Sequence, residues 1–270
     1  MNQFDTVSFL SDFGNKDEFV GVVKSVIRSI APHVTTIDIT HEIPRHDVRA
    51  GSLALVRSVQ YLCPGVALAV VDPGVGSERR AVAVEVAANN ERGYFVGPDN
   101  GLLASAVAMA GGASRAVVLD NEKFHLPAPG PTFAARDIFA PAAAQLCLGT
   151  DLSDLGTAVD THTLLPGVLP IPQVSEEQIS CEVLWVDHFG NAQLNVSAQE
   201  IAPLGIALVV RIGEQVRRAK VVNSYSELKG GELGVAVDSY GMAALVLDRM
   251  SAADTLALHE SDAVVLEAAK

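Results

Sequence analysis

Two regimes of hydrophobic patterning follow one another along this chain, and the change of period between them restricts the fold more than any single motif. In the first part, short apolar runs at residues 7–10, 34–39, 66–71, 80–87 and 93–96 read as strands. Between the first two, Phe19, Val22, Val23, Val26, Ile27 and Ile30 recur at helical spacing, and Ala31-Pro32 stops that helix. Residues 49–60 read as a second helix, 101–109 as a third, 116–119 as another strand, and 138–148 as a helix with Asp137 near its start as an N-terminal cap. Strands alternating with helices predict an α/β domain with a largely parallel central sheet. Ligands of such sheets bind beyond the carboxyl ends of the strands. Asp12, the Asp38-Ile39-Thr40 run and Asp72 stand at three of those ends.

A segment carrying Pro166, Gly167, Pro170 and Pro172 then reads as a linker over 166–174, dividing an N-terminal domain at 1–165 from a second at 175–270. Beyond it the pattern is strand-rich and helix-poor, with runs at 182–186, 193–196, 206–212, 220–222, 233–237, 243–247 and 264–266. Turn signals at Gly190-Asn191, Lys229-Gly230-Gly231 and Tyr240-Gly241 separate several of them. The expected architecture is therefore an α/β domain followed by a smaller all-β, barrel-like domain.

Charge limits the partners. Against 19 basic side chains stand 32 acidic ones, a formal charge of −13. A field of that sign repels nucleic-acid backbones and anionic membrane surfaces. The densest basic run, Arg217-Arg218-Ala219-Lys220, is short. No apolar stretch is long enough to span a bilayer, and the first residues carry no basic-then-apolar signal pattern. Three cysteines, Cys63, Cys147 and Cys181, lie far apart with no CxxC. These features point to a cytoplasmic protein with reduced thiols.

Several motifs fail on inspection. Asp12-Phe13-Gly14 matches the kinase metal triplet in letters, but the glycine-rich loop and catalytic loop of kinases are missing. In His41-Glu42-Ile43-Pro44-Arg45-His46 the second histidine is five positions on, off the helical face a zinc helix needs, and Pro44 breaks the helix. His41 is instead expected to fix a loop by hydrogen bonding, and no metal site is read. Neither a phosphate loop nor Gly-x-Ser-x-Gly occurs, and no Ser-His-Asp order stands out.

Other runs carry more. Asp72-Pro73-Gly74-Val75-Gly76-Ser77-Glu78-Arg79-Arg80 takes a carboxylate from a buried strand through rigid and permissive residues to two arginines. Such a loop can fold Arg79 back on Asp72, either as a polar pair at a pocket or as a structural salt bridge. Gly97-Pro98-Asp99-Asn100-Gly101 is a second rigid turn, where Asp99 or Asn100 is placed to cap a helix. Asp12 and Asp17, just past a strand, suit ribose hydroxyls and an ammonium group. The run Asp187-His188-Phe189-Gly190-Asn191 offers an aromatic ring and an amide to a planar heterocycle, or is an ordinary hairpin turn.

Taken in order and spacing, these landmarks, together with Thr132 through Pro141, resemble the S-adenosylmethionine (SAM) hydroxide adenosyltransferase family, which is related to the SAM-dependent fluorinase and chlorinase. The resemblance covers nearly the whole chain. It implies an N-terminal α/β domain and a small β domain, a homotrimer with sites between subunits, and metal-independent hydrolysis of SAM to adenosine and methionine, with SAM as substrate and no cofactor. By the same resemblance Asp12 holds the ribose hydroxyls and Asp17 the methionine amino group. Asp187, Phe189 and Asn191 belong to the adenosine-binding turn, and Asp72 and Arg79 position and polarise the water. The halogenases have a tyrosine where this chain has Asp72, which favours the hydrolytic branch. One departure stands out. The family commonly reads Thr-Phe-His-Gly-Arg-Asp, and this chain reads Thr132-Phe133-Ala134-Ala135-Arg136-Asp137. Either Asp72 and Arg79 suffice, with His125 or another side chain helping, or the site binds SAM or adenosine and turns it over slowly or not at all. The alternatives to hydrolysis are thus a non-catalytic binding module or transfer of another nucleophile to C5′.

Overall fold

The computed structural model describes residues 4–88 and 91–269. It divides into two compact units, one ending at Val168 and the other beginning at Leu169.

The first unit is built on a seven-stranded sheet. Its strands are β1 (Thr6–Ser11), β2 (Thr35–Thr40), β3 (Val66–Val70), β4 (Ala81–Ala88), β5 (Glu91–Pro98), β6 (Ala113–Val118) and β7 (Thr157–Ala158), in the spatial order β2-β1-β3-β5-β4-β6-β7. The half formed by β2, β1, β3 and β5 is parallel. Strands β4, β6 and β7 extend it in antiparallel fashion, so the sheet is mixed. Side chains alternate faces along a strand. In β3, Val66, Leu68 and Val70 join one buried cluster, while Ala67 and Ala69 join another on the opposite face.

Helices cover both faces. The helix α1 (Phe19–Ile30) buries Val20, Val23 and Ile27, spaced three and four apart, in the first cluster. Each such burial contributes roughly 1.5–3 kcal/mol. The helices α2 (Val48–Ser58) and α3 (Ala104–Met109) place Leu55, Ala106 and Val107 in the second. Asp47 caps α2 by accepting from the Ala50 N–H. The helix α4 (Ala140–Cys147), rich in alanine, lies on the α1 face.

Two expected caps are not made. Asp137 is no N-terminal cap. It sits inside a π-helical turn over Ala135–Phe139 that leads into α4, and its carboxylate is taken by the neighbouring Arg136 at 2.6 and 3.0 Å. Pro141 accounts for part of this, because it has no N–H to give the Asp137 carbonyl. That carbonyl accepts from the Leu126 N–H instead, at 2.9 Å, while Ala140 N–H reaches back five residues to Ala135. Asp99 and Asn100 do not cap α3 either. Asn100 accepts from the Leu102 N–H and donates to the Val71 carbonyl, and Asp99 pairs with Arg80.

The second unit is a barrel. Its strands are β8 (Gln173–Val174), β9 (Gln178–Val186), β10 (Ala192–Ser197), β11 (Ala207–Ile212), β12 (Gln215–Val222), β13 (Leu233–Val237), β14 (Met242–Val246) and β15 (Ala263–Ala268). The order runs β10-β14-β13-β12-β11-β15-β9, and a β9–β10 pairing closes seven strands on themselves, with β8 added to β9. Closure leaves the seven strands without an open edge. Only the β12–β13 pair is parallel. Ile179, Val183, Leu194, Leu208, Val210, Val235, Leu245 and Leu266 fill the interior. Arg217, Arg218 and Lys220 lie within β12 itself. Among the described residues, no helix is long and apolar enough to cross a membrane.

Candidate active site

Parallel pairing sets the first group of residues. β1 and β3 run side by side with Ser11 opposite Val70, so Asp12 and Asp72 lie one and two residues past the last pair, at the carboxyl ends of adjacent strands. Strand neighbours stand about 5 Å apart, so the two loops share one edge of the sheet.

The Asp72 loop closes on itself. Val75 N–H donates to the Asp72 carbonyl at 3.2 Å and Ser77 N–H to the Gly74 carbonyl at 3.1 Å. Ser77 Oγ also donates to the Gly74 carbonyl and accepts from Arg79 N–H. Gly76 supplies the one left-handed residue the second turn needs, with φ +79°. These turns bring the Arg79 guanidinium back onto Asp72. Nε donates to Oδ1 at 2.8 Å and to Oδ2 at 3.0 Å, and Nη2 donates to Oδ2. The Asp72 side chain is 6% exposed and that of Arg79 14%. The guanidinium carbon lies 5.2 Å from the centre of the Phe139 ring, a cation–π contact that fixes the plane of the fork. The Asn100 amide, donating to the Val71 carbonyl at 2.9 Å, braces the strand end from the other side. An ionised carboxylate has about four lone-pair sites. The fork occupies part of them and leaves acceptor capacity for a small polar molecule.

Asp12 is half-buried, and its Oδ2 accepts from the His46 N–H at 2.9 Å. His46 is a non-glycine residue at φ +66°, a strained conformation held in place by the start of α2. Asp17 is exposed in the loop before α1. Beside this loop, Phe13, Phe19 and Phe133 pack edge to face or tilted, at centroid distances of 5.1–6.0 Å. Ala134, at the position of the family histidine, is buried. His125 precedes Leu126, which is tied to the π-helical turn, and its Nε2 is buried without a hydrogen-bond partner among the described residues. Among the described residues, no hydrogen bond or ion pair joins it to Asp72 or Arg79.

One cluster was not legible as a constellation. Ser11 Oγ lies 2.8 Å from His41 Nδ1, and His41 Nε2 lies 3.1 Å from Asp38 Oδ1, off the line of a straight hydrogen bond. Lys24 Nζ donates to Asp38 Oδ2 at 2.6 Å. Partial burial pushes the Asp38 carboxyl up, but the hydrogen bond from Lys24 and the close His41 imidazole outweigh it and hold the group below its usual range. The order Ser, His, Asp is that of a nucleophilic relay, yet Ser11 is fully buried and presents no hydroxyl to a substrate. His41 fixes the loop, as its sequence context suggests, through the ring and through its carbonyl, which accepts from Gly14 N–H at 2.7 Å.

In the second unit, Asp187 organises the turn between β9 and β10. Its Oδ1 accepts from the N–H groups of Phe189 at 2.9 Å and Asn191 at 2.8 Å, and Oδ2 accepts from the Asn191 amide at 2.7 Å. The turn thereby holds the Phe189 ring outward, 76% exposed, beside the His188 ring. Asp238 builds the same turn between β13 and β14. Its Oδ1 accepts from Tyr240 and Met242 N–H, and Gly241 stands at φ +81° as Gly190 does at +82°. The Gln193 amide donates to Asp238 Oδ2. The signal was present in the sequence as a repeated Asp-x-aromatic-Gly, at Asp187 and again at Asp238.

Among the described residues, no group of three or more His, Cys, Asp or Glu side chains is placed to hold a metal ion. The three cysteines are free. A cavity of about 370 Å³ in the first unit, lined by Val82, Val84, Leu103, Val107 and Leu165, includes none of the candidate residues.

Comparison with known proteins covers both units. Residues 7–156 match the model of the SAM hydroxide adenosyltransferase N-terminal domain, and residues 181–265 that of its C-terminal domain. The (R)-S-adenosyl-L-methionine hydrolase of Salinispora tropica is 43% identical over 256 residues, covering 95% of each chain. That of Thermus thermophilus is 40% identical over 262 residues, covering 94% of this chain and 96% of its own. A fluorinase of Actinoplanes is 28% identical over 222 residues, covering 74% of each chain. The crystal structure of an uncharacterized conserved protein from Thermotoga maritima superposes with a TM-score of 0.88 at 34% identity, covering 96% of this chain and 99% of that one.

Proposed function

The chain belongs to the SAM hydroxide adenosyltransferase family, and from that premise we propose that it hydrolyses S-adenosyl-L-methionine to adenosine and L-methionine, with Asp72 and Arg79 directing the water. The observation that carries the reading is the forked Asp72–Arg79 pair at the carboxyl end of β3, in a chain 43% identical to a SAM hydrolase over nearly its full length.

The chemistry needs little from the protein. The water oxygen bonds to ribose C5′ as the C5′–S bond breaks. The sulfonium takes the bonding pair and leaves as the neutral thioether of methionine, so it needs no proton. The attacking water sheds one, to Asp72 or through it to solvent. What remains is orientation, and a well-held nucleophile can gain several powers of ten in rate from it. Asp72 accepts a hydrogen from the water and aims its lone pair, and Arg79 keeps the carboxylate from rotating. A carboxylate at this place repels a halide, which supports water over halide as nucleophile. Asp12 takes the ribose hydroxyls and Asp17 the methionine ammonium. Asp187, Phe189 and Asn191 take the adenosine from a neighbouring copy, in a homotrimer. Three free cysteines suit a reducing compartment, and we place the reaction in the cytoplasm.

Ala134 supports a second reading, a site that binds SAM or adenosine and scarcely turns it over. Incubating ligand-stripped protein with SAM and following adenosine and methionine by chromatography separates the two. Equimolar appearance of both over many turnovers supports hydrolysis. Saturable binding without product supports the second reading.

A further inference from the structure

We propose that His41 is a positioning residue for Asp12, holding the backbone on either side of that carboxylate so that it meets the ribose hydroxyls in one orientation. The inference rests on the reading of Asp12 as the ribose-binding group. It is motivated by the Ser11–His41–Asp38 cluster, in which Ser11 and His41 are buried and Asp38 is exposed, and which the proposed reaction leaves without a task.

The geometry assigns each contact a direction. The Asp38 carboxylate only accepts, so its field places the imidazole proton on Nε2, the nitrogen 3.1 Å away. Nδ1 is then an acceptor, 2.8 Å from Ser11 Oγ, and the serine hydroxyl donates to it. That leaves the serine lone pairs free for the Phe13 N–H, at 3.4 Å. One residue further, the Gly14 N–H donates to the His41 carbonyl at 2.7 Å. Asp12 is thus flanked by Ser11, clamped through its side chain, and by Phe13 and Gly14, clamped through their N–H groups. The imidazole cannot drift, because it is 4% exposed and its centroid stands 4.7 Å from that of the Phe9 ring. Lys24, paired with Asp38 at 2.6 Å, anchors the outer end to α1. The carboxylate itself is held separately by the His46 N–H. Two arms, one on the backbone and one on the oxygen, therefore fix a single acidic side chain at the end of β1.

The test compares adenosine with 2′,3′-dideoxyadenosine, which lacks the hydroxyls. Binding of each is measured by calorimetry for the parent, Asp12→Ala, His41→Gln and Ser11→Ala. Ser11→Ala cuts the same contact with almost no change of volume and serves where His41→Gln folds poorly, as judged by thermal unfolding. The expected result is a loss of about tenfold in adenosine affinity for His41→Gln and Ser11→Ala, the scale of one misaligned charge-assisted hydrogen bond, with less than twofold change for the dideoxy compound. General loosening of the fold weakens both ligands equally, and that outcome overturns the proposal, as does no effect on either. Asp12→Ala keeps the two failures apart. If its loss depends on the hydroxyls while that of the His41 and Ser11 variants does not, Asp12 keeps its role and His41 loses its own. If the Asp12→Ala loss is independent of the hydroxyls, the reading of Asp12 falls and the proposal with it.

Discussion

Replacing Asp72 by asparagine changes one atom and removes one charge, and the structure sets what that does. The carboxylate receives Arg79 Nε on Oδ1 and both Nε and Nη2 on Oδ2. An asparagine has one acceptor oxygen, and its amide would set N–H against N–H of the guanidinium. At least one charge-assisted bond is lost, worth roughly 1.5–3 kcal/mol, in a pair whose side chains are 6% and 14% exposed. The proposed acceptor for the water proton disappears as well. Losing a positioned charge of this kind typically lowers kcat by about 10²–10³-fold. On the proposed reading Asp72 meets the water and not the adenosine or methionine portions, so KM should move less than about threefold. Steady-state kinetics by product chromatography reads both constants, with thermal unfolding to confirm that the variant is folded. Parent-like kcat in the folded variant would refute the role given to Asp72. A raised KM with unchanged kcat would make it a binding group instead.

Asp12→Ala should raise KM and lower kcat together if, as proposed, Asp12 holds the ribose in the ground state and on the way to attack, and the same kinetic assay checks it. Gly190→Ala should lower the unfolding temperature of the barrel by several degrees. Its φ of +82° costs a side chain about 1–2 kcal/mol, and the added Cβ runs into Ser251. Thiol labelling of the folded protein at pH 8 should modify Cys63, which is exposed, and spare Cys147 and Cys181. Burial pushes both of these thiols up to about 12, so they stay protonated at pH 8 and react only when the chain is unfolded.

Much of the fold could be read because both faces of the sheet are buried. A strand such as β3 must then be apolar throughout, Val-Ala-Leu-Ala-Val, and stands out from its surroundings. Most barrel strands were visible too, and 233–237 was read with its observed limits, but β12 begins at Gln215, five residues ahead of the run expected at 220–222, and β8 was not read. Strand direction was less visible. Nothing in the Val-rich β4 distinguishes its antiparallel pairing with β5 from a parallel one. The π-helical turn was hidden because half of its cause lies outside the helix, in Leu126 taking the Asp137 carbonyl that Pro141 has no N–H to reach. Of the candidate residues, Asp72 and Arg79 could be paired from spacing alone, since the intervening Pro73, Gly74 and Gly76 leave the loop few ways to run. The Ser11–His41–Asp38 cluster could not. Its members come from two strand ends, and only the parallel register of β1 with β2 brings them together.

The central claim is that water attacks C5′ of SAM, and isotope labelling tests it most directly. The reaction is run in water enriched in oxygen-18, and the adenosine and methionine are weighed by mass spectrometry. The account predicts one heavy oxygen in the adenosine, at the 5′-hydroxyl, none in the methionine, and loss of the signal in Asp72→Asn. Adenosine carrying ordinary oxygen, or none formed above a protein-free control, would contradict it.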